Sequence, residues 1–420
     1  MSDKKDQEWV HEGCGDYIEP NFEPDLQGDL HTRHLAINLG PSHPAMHGTV
    51  QLKVEVDGET IVRSECNVGY LHRAFEKSCE ASTWTQVFPY TDRLNYVSPL
   101  LNNIGYALAV EKLLGLTDKM TERGKYLRVI LGEVSRITDH QTCTAAMVME
   151  LGAMTPYFYL MEGREALWDL IEAMVGARMT TSWCRIGGPS TDMPAGWDAE
   201  LRKVLDRCLT ILDDVDALVK RNRIFIDRTR GVGVMPQAEA INRGWTGPLL
   251  RATGVPYDVR RSMPYLVYER LDFDIPVGGS GDVYDRYLVR MEEMRQSDRI
   301  IRQALDQLPS GPIMIDDPTI ALVPKPQTYG SIEGLINHFK IIMEGIAVPP
   351  GEVYSYTEAA NGELGFYLVS SGQGRPWKCR CRPPCFPMVQ SLPRMVQGRM
   401  IADIVPCFGS INMIGGECDR

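Results

Sequence analysis

The chain of 420 residues allows one to three domains at roughly 150 residues each and is long enough to enclose a large core. With 44% hydrophobic and 24% charged residues it has the composition of a folded protein, which excludes disorder over most of its length. Against 44 Lys and Arg stand 55 Asp and Glu, a net charge of −11, and this balance excludes a nucleic-acid binder, which needs a basic face for phosphates.

Residues 1–30 are polar and acidic and show no period; they read as an extended arm, without the apolar segment of a signal peptide. Residues 31–98 read as an N-terminal β domain. His34 to Leu39 is one strand, Val50 to Val56 alternates with period two, Asp57-Gly58 is a hairpin turn, and Thr60-Ile61-Val62 continues outward. The loop from Gly40 to Gly48, between the first two strands, carries two Pro and two Gly and is a turn-rich connection. From residue 99 the period becomes helical, with further helices over 123–150, 158–178 and 196–223, and a highly charged one with apolar stripes over 283–307. Residues 225–282 read as a Gly/Pro-rich connection, and strands return at Val353–Tyr356 and Gly365–Val369. The fold class is therefore α+β: a small N-terminal β-sheet domain, a central helical bundle over 99–350, and a C-terminal strand-rich segment over 351–420 packing back on the core. No run of 18 apolar residues is present; the nearest approach, Gln141 to Met161, is interrupted by Glu150 and Pro156 and reads as a buried helix.

The eleven cysteines are informative by their spacing: no two are three residues apart. This removes the zinc ribbon and the common iron–sulfur signatures, and an odd, dispersed set without a secretory signal points to a reducing compartment. Cys379, Cys381 and Cys385, with Cys407 and Cys418, read as free thiols. No strand–GxGxxG–helix unit and no P-loop occurs.

Five of the eight histidines fall within residues 31–72, which makes the N-terminal sheet the place to look for chemistry. His43 and His47 are four apart, a spacing that serves metal ligands on a helix, but Pro41 and Pro44 disfavour a continuous helix there. Two readings stay open: a turn histidine bonded to backbone, and a proton donor near neutral pH, since an imidazole titrates near 6.5. Glu150, flanked by uncharged runs, is expected to be partly desolvated and so to need a partner; an exposed acid is the alternative. Tyr96, just before the first long helix, and Arg73, in the segment Gly69 to Lys77, are unspecific by themselves.

The combination is more specific. Gly40-Pro-Ser-His-Pro-Ala-Met-His-Gly48, His72-Arg-Ala-Phe-Glu-Lys77, Leu151-Gly-Ala-Met-Thr-Pro156, Arg185-Ile-Gly-Gly188, Asp285-Arg-Tyr-Leu-Val-Arg290 and Gly416-Glu-Cys-Asp-Arg420 occur in this order. Together they resemble the 49 kDa, or D, subunit family of NADH:quinone oxidoreductase, respiratory complex I, over roughly residues 30–420. The resemblance implies a fold related to the large subunit of nickel–iron hydrogenases. It also implies a quinone-reducing cavity shared with the B subunit, which holds the last 4Fe–4S cluster. Quinone would be the substrate; no cofactor would be bound by this chain alone, FMN and the iron–sulfur clusters belonging to partner subunits. The expected partners are peripheral-arm subunits, above all the B and C subunits, and the H subunit of the membrane arm. The expected place is the cytoplasmic side of the cell membrane, in a complex that couples quinone reduction to proton pumping.

Carried over by motif, His47 and Tyr96 face the quinone head group, and Glu150 stands where the family has an Asp that pairs with that histidine. Arg73 lies near the terminal cluster, and His43 is a further cofactor-side position. Three departures stand out: Glu150 for Asp, Ala74 for the Gly of His-Arg-Gly, and Asn95 for the Asp of Arg-Leu-Asp-Tyr. Gly187-Gly188 leads to Pro189-Ser190 rather than to the histidine many relatives carry, which leans toward a low-potential quinone such as menaquinone. Two alternatives compete. A nickel–iron catalytic subunit would need two thiolate pairs of the Cys-x-x-Cys kind, which are missing; a non-catalytic scaffold would have its cavity supplied elsewhere.

Overall fold

The computed structural model describes residues 34–420; the arm expected over 1–30 lies outside them. The N-terminal strands form an antiparallel meander of β1 (Leu35–Leu39), β2 (Gln51–Asp57) and β3 (Thr60–Asn67), in the order β1-β2-β3. Alternation does what period two dictates: Leu52, Val54, Val56 and Ile61 are buried while Lys53 and Asp57 are exposed. Within the Gly/Pro loop Pro44–Met46 makes a single 3-10 turn.

Two short helices, α1 (Phe75–Ala81) and α2 (Phe88–Asp92), lead to the bundle. Its members are α3 (Pro99–Leu113), α4 (Glu122–Glu150), α5 (Met154–Val175) and, after the two-residue strands β4 (Cys184–Arg185) and β5 (Gly188–Pro189), α6 (Trp197–Val219). The stretch read as a connection contains α7 (Arg223–Thr229), α8 (Gln237–Asn242), α9 (Gly247–Ala252) and α10 (Val259–Ser262). Each is two turns or less, too short to show a period. Then come α11 (Val283–Asp306), α12 (Lys325–Gly330) and α13 (Ile332–Met343). A second antiparallel sheet, β6 (Gly351–Ala359), β7 (Gly362–Ser370) and β8 (Lys378–Arg382), packs on α3. Strands end at Arg382. From Cys385 the chain is helical, through α14 (Cys385–Val389), α15 (Leu392–Val396), α16 (Ile404–Ile411) and α17 (Gly415–Asp419).

Helix α4 is the axis. At about 1.5 Å per residue its 29 residues run about 44 Å, and it packs on α3, α5, α11 and α16. Because neighbours surround it, most of its residues are buried irrespective of polarity, Glu133, Arg136, Asp139 and His140 among them. The same holds for α11, the highly charged helix: its Arg286, Arg290 and Glu293 are buried.

These charges pair. Glu133 accepts from Arg136 Nε (3.1 Å), Arg260 Nη1 (3.2 Å), Tyr268 Oη (2.7 Å) and Ser297 Oγ (2.7 Å). Glu293 accepts from Arg251 (2.9 Å) and Arg260 (3.2 Å) and faces His140 at 3.4 Å. Arg251 also reaches Glu358 (2.8 Å), Arg260 reaches Asp258 (2.7 Å), and Arg136 donates to the carbonyls of Glu358 and Ala359. The lattice thus ties α4, α9, α10, α11 and β6. Burial pushes the Glu293 carboxyl up, but Arg251 and His140 outweigh it and hold it well below the usual carboxylate range. Burial likewise raises Glu133, and there Arg136 and Arg260 win. Stability from these two acids is therefore complete above their ordinary value of about 4.3 and is lost as pH falls through their depressed folded values. Replacing Glu293 by Gln strands Arg251 and Arg260 with less than their complement of charge. The variant is expected to lose about 3–5 kcal/mol in denaturant unfolding and to show a shallower loss of stability toward acid pH; wild-type stability would refute the lattice's role.

Candidate functional site

His47 owes its position to its loop. His43 Nδ1 accepts from the Ala45 amide (3.2 Å) and caps the 3-10 turn. His47 follows that turn in the left-handed conformation, φ 50° and ψ 20°, which throws its side chain off the turn. Its Nε2 lies 2.9 Å from Glu150 Oε1. With the acid ionised, Nε2 must carry the hydrogen of that bond. The imidazole edge packs on Phe408, ring centroids 5.1 Å apart. About a third of the His47 side chain stays exposed, against 14% for Glu150.

Glu150 is the last residue of α4. Its Oε2 is buried with no hydrogen-bond partner among the described residues. The backbone of α16 closes over it: a Cβ placed on Gly409 would fall within 2.4 Å of that oxygen. The expected partly desolvated acid with a histidine partner is thus what the structure contains. The residues that shape it, Phe408 and Gly409, carry no signal in the sequence.

Tyr96 sits in the turn between α2 and α3, half-buried. Burial pushes its phenol up, Cys385 and Asp139 add to this, and Arg73 opposes them. Among the described residues no hydrogen bond reaches its hydroxyl. The turn is locked from beneath. Asn95 Nδ2 donates to Asp139 Oδ2 (2.8 Å), while Asn95 Oδ1 accepts from the amides of Val97 (3.1 Å) and Ser98 (3.3 Å). Asn95 thus meets a carboxylate on α4 that the sequence does not single out.

Arg73 is exposed and donates to the carbonyls of Arg93 (2.7 Å) and Gly416 (3.3 Å). Burial and the neighbouring Arg93 both lower its affinity for its proton. Ala74, next along, has φ 54°, a left-handed conformation that glycine adopts without penalty. The C-terminus is folded against this region: Leu71 N donates to Asp419 Oδ2 (2.7 Å), and His72 Nδ1 is 2.8 Å from the Asp419 carbonyl.

These groups lie along one strip. Asp139 and Glu150 are eleven residues apart on α4, three turns, so they share a face about 16 Å apart. Between them the Cys143 thiol, pushed up to about 11 by burial, also feels Arg290, Asp139 and Glu150. The segment from α16 to the C-terminus covers the strip: Phe408 meets His47, Gly409 meets Glu150, Asn412 Nδ2 donates to Asp139 Oδ1 (2.6 Å), and Gly416 meets Arg73. His47 with Glu150 occupies one end, and Tyr96 with Arg73 the other. His43 is engaged with its own loop. The cysteines of 379–418 are buried free thiols, held protonated by burial and by the acids and thiols around them. Among the described residues no three His, Cys, Asp or Glu side chains are grouped to hold a metal.

Comparison with known proteins places this arrangement in one class. The family model described as the respiratory-chain NADH dehydrogenase 49 kDa subunit matches residues 150–420. One of two D subunits of the NADH-quinone oxidoreductases of Sorangium cellulosum, numbered 1, is 58% identical over 93% of this chain and 97% of its own length. The D subunit of Myxococcus xanthus is 56% identical over 95% of each. In Bdellovibrio bacteriovorus the similar protein, a C/D subunit, is 50% identical over 95% of this chain but only 71% of its own length. The chain belongs to the 49 kDa subunit family of the respiratory-chain NADH dehydrogenases. Gly409→Ala is expected to drive the Glu150 carboxyl off His47 while leaving α16 in place; an unchanged 2.9 Å bond in the variant's structure would contradict the steric reading.

Proposed function

We propose that this chain is the quinone-site subunit of a proton-translocating NADH:quinone oxidoreductase, with His47 and Tyr96 as proton donors and Glu150 as the group that orients His47. The observation that carries this reading is the bond between His47 Nε2 and Glu150 Oε1. It is a charge-assisted pair between a loop histidine and a helix-end acid, closed over by α16, with the imidazole still part-exposed.

Reducing a quinone takes two electrons and two protons. Electrons tunnel from a cluster in a neighbouring subunit, but protons need donors within hydrogen-bond reach of the two oxygens. An imidazolium and a phenol can both serve. Glu150 fixes the ring and stabilises the charged imidazole. When His47 gives up its proton, the pair is left with a net negative charge in a poorly solvated place. Relief of that charge can drive a conformational or proton-transfer step toward the membrane arm. Arg73 places a positive charge at the other end of the strip, where the 4Fe–4S cluster of a B subunit would sit, and favours its reduced form.

FMN and the clusters then belong to partner subunits, and this chain supplies shape and protons. A C subunit is supported as neighbour by the Bdellovibrio relative, whose name joins C and D in one chain. No helix of the described residues is long and apolar enough to cross a membrane. That agrees with a peripheral place on the cytoplasmic side, against an H subunit in the membrane.

The test uses the assembled complex. His47→Ala and Tyr96→Phe should each lower NADH:quinone reduction by about 100-fold, and Glu150→Gln should lower it while NADH still reduces the clusters. Full turnover in a normally assembled His47→Ala, Tyr96→Phe double variant would favour a scaffold role.

A further inference from the structure

Beside Tyr96 lie two buried carboxyl groups joined by amides. Asp139 accepts from Asn95 Nδ2 (2.8 Å), Ser98 Oγ (2.7 Å) and Asn412 Nδ2 (2.6 Å). Asn412 Nδ2 also donates to Asn361 Oδ1 (2.5 Å), and Asn361 Nδ2 donates to Glu417 Oε2 (3.4 Å). Glu417 Oε1 accepts from the Cys385 amide (3.0 Å). Asp139, Asn95, Ser98, Asn361, Asn412 and Glu417 are all buried. Each donor in this frame is neutral.

Among the described residues no Lys, Arg or His nitrogen lies within ion-pair distance of either carboxyl. The groups around Glu417 are Asp139 from α4, the thiols of Cys381 and Cys385, and Cys418, Asp419 and Arg420 of its own segment. Arg73 approaches through the neighbouring Gly416 carbonyl. Neither arginine engages the pair. Arg420 donates to the Cys381 carbonyl and faces Glu76, and Arg73 donates to backbone carbonyls. Two carboxyls that bear on each other in a dry site without a cation do not both ionise at neutral pH. Burial pushes Glu417 up to about 7 against the Cys385 bonds that favour its carboxylate, and Asp139 adds to the rise.

We propose that Glu417 and Asp139 together hold one proton at neutral pH, and that this shared proton sets the pH range over which Tyr96 can donate. The inference rests on the reading of Tyr96 as a donor to the quinone. When the Tyr96 O–H bond breaks, its proton passes to a quinone oxygen and a negative charge forms on the phenol oxygen, next to Asp139 and Cys385. With the shared proton in place the carboxyl pair carries one negative charge; without it, two. The second charge opposes the phenolate and so slows the donation, until Tyr96 recovers its proton from water. Glu417 touches no substrate; it is a positioning residue, and macroscopic titration belongs to the pair.

The experiment compares pH profiles of NADH:quinone reduction in the assembled membrane complex, with NADH:ferricyanide reduction as the measure of assembly. In the wild type, turnover falls as pH rises through the range near 7 of Glu417. Glu417→Gln, fixed neutral, should abolish that falling limb. Asp139→Asn, which removes the like charge, should move it acidward by about one pH unit, and it serves as the test where Glu417→Gln fails to assemble. A limb that stays in place in either variant overturns the shared proton. Tyr96→Phe separates the two readings. Full turnover in it refutes the quinone-site assignment itself, whereas lost turnover there beside an unmoved limb in Glu417→Gln refutes only the proton pair.

Discussion

The register of α4 against α11 is the constraint on which the site depends, and buried charge sets it. Glu133 and Glu293 are fully buried and share Arg260, while Arg136 and Arg251 complete their coordination. Each of these ions costs several kcal/mol to remove from water, and close pairing roughly offsets that cost. The lattice is therefore weak as a source of stability and strong as a source of specificity. An apolar seam between two long helices tolerates sliding by a residue or a turn. A seam of acids and guanidiniums does not, because any slip leaves buried charges unpaired. Glu150 lies 17 residues beyond Glu133, about 26 Å along the same helix, so its position at the end of α4 is inherited from pairs made far from it.

A second constraint acts from the opposite side. The C-terminal segment follows α4 for the length of the strip, and its small residues set how close it comes. Gly409 leaves no room for a side chain against Glu150, and Gly416 none against the Arg93 carbonyl and the Arg73 guanidinium. Asn412, with φ 57°, turns the chain between α16 and α17 and at that turn bonds Asp139. The imidazole–carboxylate end and the phenol–guanidinium end are thus mounted on one rigid rod and roofed by one strap. Proton donors separated in this way can address different oxygens of one flat acceptor.

Much of this was legible in the sequence, for identifiable reasons. The β1–β3 meander follows from period-two alternation and an Asp-Gly turn. The long helices follow from sustained periodicity, and Glu150 from being one acid within a long uncharged stretch. What escaped did so because polarity and burial part company in this core. The apolar stripes of α11 are legible, but an isolated helix would hydrate the charges between them. Only the arrival of Glu133 and Arg260 from elsewhere makes their burial tolerable. Helices α7–α10 and α14–α17 are too short for periodicity to separate them from loop. Asp139 looks like any polar residue on a helix, because nothing local says that Asn95 and Asn412 converge on it. The functional assignment of His47, Tyr96 and Arg73 comes from resemblance; each alone is an ordinary side chain.

The departures from the family pattern can be weighed one by one. Glu150 spans to His47 with a good hydrogen bond, so the extra methylene is absorbed by geometry. Ala74 occupies a left-handed backbone position, a cost of about 1–2 kcal/mol that glycine would avoid, and nothing in its surroundings offsets it. Asn95 is different in kind. The carboxylate missing from the Tyr96 turn stands directly across the bond at Asp139, and Asn95 donates to it. The negative charge thus sits on the helix rather than on the turn, in contact with Asn412 and, through it, with Asn361 and Glu417. In a desolvated frame with no cation in contact, the place of a charge decides the ionisation of its neighbours. Tyr96 is the neighbour whose chemistry would register the difference.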